Sequence, residues 1–315
     1  MRRGELAARP QLRWLAVWAL GVALFVAVVG VPRERTQVFA IVIAGVVAAG
    51  VGTSGTTRRV LLDWVPFLAL LLLYDVLRAA ATSWVPPHAV PQIRVDEFLF
   101  GGQVPTLTLQ HALYTPGVAH VWDYAVFGVY LSHFFVAFVV AGVLWHLDHE
   151  RFRRFAVVLV ALTFAAFVTY ALYPAVPPWL AAKQHLIGHT SKIIDHMWAT
   201  LGVDRGPGLL SARGRFANPV AAIPSLHAAY PMLIALFFWG GARRWRWLLA
   251  AYPLAMGFTL VYAGEHYVID ILIGWVYAVV VYLAGSAAYS WWRAGATAAP
   301  APVAEVAVAE TAQMS

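Results

Sequence analysis

Eight apolar runs, each close to the length of a membrane crossing and separated by polar or arginine-bearing segments, constrain this chain more than any other feature. They cover roughly residues 14–30, 37–52, 60–81, 122–146, 155–173, 220–240, 245–262 and 266–289. Backbone N–H and C=O groups find no water in hydrocarbon, so such runs must be helical, and a helix needs ~20 residues to cross ~30 Å. With 61% hydrophobic and 12% charged residues and a mean hydropathy of +0.70, little is left to build a soluble surface. The expected fold is therefore an all-α integral membrane protein with about eight transmembrane helices.

Charge placement orients the runs. The N-terminal Arg2, Arg3, Arg9 and Arg13, the loops at Arg58–Arg59, Arg151–Arg154 and Arg243–Arg246, and Arg293 carry 13 of the 22 Lys and Arg. All of these fall on one side if both termini are cytoplasmic, which is where short basic loops are retained. Arg33 and Arg35 run against the pattern. The long polar stretches 83–121 and 174–219 then face the extracytoplasmic side, the first with a short amphipathic helix expected around Leu107 to Tyr114. The net charge of +7 is thus topological, and no basic patch interleaved with aromatics points to nucleic acid. The absence of cysteine removes disulfides and thiolate nucleophiles. Three regions are expected: a transmembrane hairpin over 1–56, a membrane-embedded catalytic domain over 57–293, and a disordered, Ala/Pro/Val/Glu-rich cytoplasmic tail over 294–315.

Chemistry concentrates between Ala221 and Asp270. Ser225 and His227 open one apolar run, and His266 and Asp270 open another. The 39 positions from His227 to His266 make two crossings, so the second histidine returns to the face of the first. On a helix, His266 and Asp270 lie one turn apart, so the carboxylate can accept from one ring nitrogen and leave the other as a nucleophile. Pro224 and Ser225 stand where a helix begins, and N–H and O–H groups there suit a phosphate. His227 can protonate a departing oxygen. These are the parts of a phosphoryl-transfer site. A transporter or lipid scaffold would also use several spans and buried polar residues, and His185, His189 and His196 have the ligand type for zinc.

Pro-Ser-Leu-His at Pro224 to His227, followed by His-Tyr-Val-Ile-Asp at His266 to Asp270, resembles the second and third signature motifs of the phosphatidic acid phosphatase type 2 superfamily. YPAVPPWL at the end of the fifth run, Leu226 rather than glycine before His227, and Asp123, Tyr130, Ser132 and His133 are more similar to the inositol phosphorylceramide synthase or inositolphosphotransferase-like branch. The resemblance spans roughly Asp63 to Tyr289. It implies a six-helix catalytic core and metal-independent chemistry without a cofactor. The residue matching His266 attacks phosphorus, the one matching Asp270 orients it, and the one matching His227 serves as acid and then base. A phosphohistidine forms and is resolved by water or another hydroxyl. Superfamily phosphatases also carry a Lys-x6-Arg-Pro motif and a Ser-Arg pair ahead of the third-motif histidine; the first has no clean match, and Thr259 and Leu260 stand at the second.

Substitute cations are expected from Arg213 and Arg215, then from Arg78 and Lys183, with Ser225, Tyr267, His133 and Trp179 completing the substrate-binding candidates. Asp75 and Arg78 have the spacing of an ion pair, and Glu265 reads as a solvated neighbour. The leading expectation is transfer of a phosphorylated head group, inositol phosphate from phosphatidylinositol first, to a lipid or glycan hydroxyl. A lipid phosphatase acting on phosphatidate or a polyprenyl phosphate would use the same catalytic residues.

Overall fold

The computed structural model describes residues 3–30, 32, 35–50, 56–202, 218–241 and 243–297. Arg213, Arg215 and all but the first four residues of the expected tail lie outside the described residues. In chain order the helices are α1 (Arg3–Val29), α2 (Arg35–Gly50), α3 (Thr56–Ala80), α4 (Val90–Leu99), α5 (Pro105–Leu113), α6 (Val121–Leu147), α7 (His149–Leu172), α8 (Pro178–Lys183), α9 (Ile193–Thr200), α10 (Leu226–Phe238), α11 (Arg246–Tyr262) and α12 (Val268–Thr297). Helices thus stand at all eight apolar segments. Five of them, α1, α3, α6, α7 and α12, are each long and apolar enough to cross a membrane. The fold is all-helical and membrane-embedded, a multi-pass arrangement.

Packing follows from which face each helix must hide. α10 sits at the centre, against α12, α11, α6 and α7, while α3 and α12 both lie on α7. The interior is dense with large side chains, among them Trp64, Leu71, Phe152, Phe155, Leu162 and Leu233. Leu20, Leu24, Val139, Val280 and Leu283 point outwards instead, as a lipid-facing surface requires. α1 lies on α2, where the Trp18 indole donates to the Ile41 carbonyl at 2.8 Å, and α2 in turn packs on α3 and α6.

Buried polar groups tie the bundle at both ends. At the end that bears the arginine loops, Asp63 on α3 accepts from the Trp145 indole at 3.1 Å and lies 3.4 Å from His149 and 3.6 Å from Arg153. Asp148 caps α7 by accepting from the Arg151 N–H at 3.0 Å. At the opposite end Asp123 accepts from the His120 N–H at 2.8 Å and the Tyr262 hydroxyl at 2.7 Å, so one carboxylate caps α6 and fastens it to α11. Such satisfaction is obligatory for an acid with no exposed surface.

The loops above this end are joined by backbone. The His88 N–H donates to the Pro174 carbonyl at 2.8 Å, and Val176 returns the bond to His88 at 2.9 Å. Ala175 donates to Val220 at 2.6 Å. Gln110 on α5 donates to the Ser191 and Tyr262 carbonyls and accepts from the Ser191 N–H, each at 2.8 Å. Three sequence-distant loops are thereby stitched over one end of α10.

Three boundaries differ from expectation. Residues 83–121 hold two short helices, α4 and α5, rather than one. α10 begins at Leu226 rather than near Val220, because residues 220 and 221 pair in extended form with Ala175 and Ser225 is the first residue able to cap a helix. α12 begins at Val268, so His266 lies just before the helix that carries Asp270. No capping side chain is available next to that start; its cap comes from elsewhere in the chain.

Candidate active site

Ser225 caps α10 by accepting from the Ala228 N–H at 3.3 Å, and its own N–H donates to the Asp270 carbonyl at 3.0 Å. The Tyr170 hydroxyl donates to the Pro224 carbonyl at 2.6 Å. The start of α10 is therefore bonded directly to the first turn of α12. Gly274, one turn beyond Asp270, permits this approach: a Cβ there would stand 2.5 Å from the Ser225 carbonyl oxygen.

That seating brings the two histidines together. The ring centroids of His227 and His266 are 5.7 Å apart. His266 Nδ1 lies 3.3 Å from Asp270 Oδ2, which also accepts from the Tyr267 N–H at 3.0 Å. Asp270 is wholly buried and His266 is 6% exposed. Bonding through Nδ1 turns Nε2 of His266 away from the carboxylate, where it is available to attack. The expected pairing is thus present although His266 is not helical.

His227 is held by rings from α6. Tyr130 stacks on it at 5.2 Å, and the His133 ring is 4.1 Å away. His133 in turn stacks on Tyr230 at 5.0 Å. Tyr130 and His133 thereby fix the plane of His227 from the side opposite α12.

Cationic side chains rim the site. Trp179, whose N–H donates to the Gly264 carbonyl at 3.0 Å, is flanked by the ammonium groups of Lys183 and Lys192, each 5.0 Å from its ring. Arg78 lies 3.8 Å from Asp75, the expected ion pair, and is also 5.7 Å from the Tyr74 ring. The Arg78 carbonyl accepts from the Asn218 side chain at 2.9 Å, which ties the end of α3 to the segment before α10. Tyr267 is fully buried among Ile93, Val104, Val176, Ala181 and Val220, which makes its ring part of the packing under the loops. Glu265 corrects an expectation: only 12% of its side chain is exposed, and Lys192, the residue before α9, lies 3.8 Å from its carboxylate. Among the described residues no group of three or more His, Asp and Glu side chains is arranged to hold a metal ion.

A residue that sequence reasoning missed is Asp96 on α4. Its two carboxylate oxygens accept from the N–H groups of Val268 at 2.9 Å and Ile269 at 3.1 Å. It is the missing cap of α12, and it sets where the dyad's helix begins. Nothing local announces this role, since the partners lie more than 170 positions on. Burial pushes the Asp96 carboxyl up to about 6, against the two backbone bonds that hold it down. Its value in the unfolded chain is 3.8, so the folded state binds the proton more tightly. This contribution is present at low pH and is lost as pH rises through about 6. Comparing thermal melting of the wild type with Asp96→Asn between pH 4 and 7, the wild type is expected to lose ~2–3 kcal/mol relative to the variant over that window. Parallel curves would remove Asp96 as the titrating group.

A groove of about 530 Å³ runs between α5, α11 and α12, lined by Leu109, Phe258, Val261, Ile271, Leu272 and Trp275 among others. Its lining is almost entirely apolar and it opens on the lipid-facing surface of α11 and α12.

Comparison with known proteins adds a second line. The family model described as PAP2 superfamily matches residues 93–284, a span that contains every group of the dyad and its supports. The chain is 27% identical over 276 residues to a phosphoinositol dihydroceramide synthase of Bacteroides thetaiotaomicron, covering 82% of this chain and 86% of that one. It is 24% identical over 240 residues to the inositol phosphorylceramide synthase catalytic subunit aur1 of Schizosaccharomyces pombe, covering 72% of this chain and 54% of that one. No solved structure matches the chain significantly.

Proposed function

The chain belongs to the PAP2 superfamily and is an enzyme of it, and from that premise we propose that it is a phosphotransferase moving inositol phosphate from phosphatidylinositol to a lipid or glycan hydroxyl. The observation that carries the chemistry is the pair of histidines 5.7 Å apart, one of them bonded to a buried aspartate. In the first half-reaction His266 Nε2 attacks phosphorus and the bond to the diacylglycerol oxygen breaks. His227, protonated, gives its proton to that oxygen, and diacylglycerol leaves. In the second half-reaction neutral His227 takes the proton of the acceptor hydroxyl, whose oxygen attacks phosphorus. The phosphorus–nitrogen bond breaks and His266 is restored. Asp270 holds the Nδ1 proton of His266 throughout and stabilises the charge the ring acquires.

Transfer, rather than hydrolysis, is favoured by the names of the two relatives, both synthases of inositol-containing sphingolipids. Ceramide-type alcohols are therefore the first acceptors to try. The apolar groove supports the same reading, since it offers a lipid chain a seat against α12, the helix that carries Asp270, without leaving the bilayer. With the arginine loops cytoplasmic, the site faces the extracytoplasmic leaflet.

The test is a product assay on full-length protein in lipid nanodiscs containing phosphatidylinositol radiolabelled in the inositol ring, with and without a ceramide. Label entering a new lipid only when the acceptor is present is the expected result. Release of water-soluble label alone would overturn transfer and leave hydrolysis.

A further inference from the structure

We propose that Glu265, Lys192 and Trp179 form a subsite for the polyol part of the head group, with Glu265 accepting hydrogen bonds from its hydroxyls. The proposal rests on the transfer reading for its choice of substrate. Glu265 directly precedes His266, and both N–H groups donate to the Leu260 carbonyl, that of Glu265 at 3.0 Å and that of His266 at 3.2 Å. Only 12% of the Glu265 side chain is exposed, so its carboxylate is enclosed beside the dyad.

A carboxylate is an odd neighbour for a phosphate nucleophile. It repels the substrate's phosphate, and its burial carries a desolvation cost that must be met by partners. Here that cost is only partly met: among the described residues Glu265 Oε1 has no hydrogen-bond partner, and Lys192 Nζ is 3.8 Å away, beyond hydrogen-bond reach. Burial pushes the Glu265 carboxyl up and Lys192 draws it down, while Asp195, itself 3.5 Å from Lys192, opposes that pull. An open acceptor in this position calls for donors that bring no negative charge. Hydroxyl groups fit.

The surroundings decide between a polyol and a cationic head group, which a carboxylate beside an indole would otherwise also suit. Trp179 already has an ammonium group 5.0 Å from its ring on Lys183 and another at the same distance on Lys192. Two fixed positive charges repel a choline or ethanolamine group. They donate readily to hydroxyl oxygens and to phosphate, and the indole offers a flat apolar surface to the C–H face of a cyclitol. Glu265, Trp179 and the two lysines together thus attract a neutral polyol phosphate and reject its cationic counterpart.

The test uses full-length protein in nanodiscs and measures binding of myo-inositol 1-phosphate, phosphocholine and inorganic phosphate by titration calorimetry. Wild type is expected to prefer myo-inositol 1-phosphate to each of the others by at least ~10-fold, the scale of one charged hydrogen bond, and Glu265→Gln is expected to erase most of that preference. Lys192→Met is expected to weaken all three phosphate ligands together. Because the preference is a ratio taken on one preparation, it does not depend on the folded fraction. A preference that survives Glu265→Gln, or a wild type that favours phosphocholine, overturns the subsite. The turnover assay with labelled phosphatidylinositol separates this from the parent reading. A Glu265-dependent preference without transfer would sink the transferase and keep the subsite, whereas transfer with an unaltered preference in Glu265→Gln would do the reverse.

Discussion

His266→Ala is expected to lower transfer by at least ~10⁴-fold, the scale of losing a covalent nucleophile whose partners remain in place. The size follows from what would be left. His227, the rim cations and the apolar groove would still bind lipid, but no other imidazole stands opposite His227 with a buried carboxylate behind it. His133, the next ring, lies 4.1 Å from His227 on the α6 side and stacks on Tyr230, so it cannot take the attacking position without unpacking α6. Truncating His266 leaves the buried Asp270 carboxylate without its ring partner, so a loss of ~1–3 kcal/mol of stability is expected and turnover is compared on folded protein. Rapid quench of the wild type with labelled donor should trap acid-labile, base-stable label on the protein, and the alanine variant should show none. More than ~1% residual turnover in a folded variant would exceed what binding and His227 alone supply and would remove His266 as the nucleophile.

Gly274→Ala is expected to be nearly as damaging, by another route. Alanine is the better helix former by ~1 kcal/mol, so propensity alone predicts a more stable protein. The added Cβ would lie 2.5 Å from the Ser225 carbonyl oxygen and 3.3 Å from two further backbone atoms of Ser225. Backbone on both sides leaves no side chain to swing away. Relief requires α10 and α12 to part, which breaks the Ser225 to Asp270 bond and widens the gap between His227 and His266. A loss of ~2–3 kcal/mol of stability and ~10²-fold or more in turnover is expected. Gly128→Ala on α6, where a Cβ meets nothing within 4 Å, is the control and should stabilise by up to ~1 kcal/mol. If both variants melt like the wild type and Gly274→Ala turns over normally, the close approach is not what aligns the histidines.

Parts of this were legible in the sequence because they are local. Runs of apolar residues must become helices in hydrocarbon, and the spacing of His227 and His266 puts both at one end of two neighbouring helices. Asp270 lies within reach of His266 whether or not the histidine is helical, so that pairing survived an error in the helix start. What was hidden is tertiary. Gly274 is one small residue in an apolar run until Ser225 is laid against it. Asp96 is an ordinary acid in a short surface helix until Val268 and Ile269 arrive. Glu265 reads as solvated because glutamate next to a glycine at a loop usually is, and only its enclosure beside Lys192 shows otherwise. Tyr267 reads as a substrate contact because it adjoins His266, yet its side chain turns into the packing beneath the loops.

The Asp96 clasp also bears on how the molecule comes into being. A fragment starting at Val121 would contain His227, His266 and Asp270, the groups that act in the proposed reaction, together with His133, which packs on His227. It would lack the carboxylate that starts α12 and the Gln110 staple that fastens the loop before it. Such a fragment should insert in a membrane and be catalytically silent, and supplying residues 56–120 as a separate chain should restore turnover. Catalysis in this architecture is an emergent property of the first third of the chain folding back over the last. On the proposed mechanism turnover is expected only once residues 56–120 have folded over the start of α12.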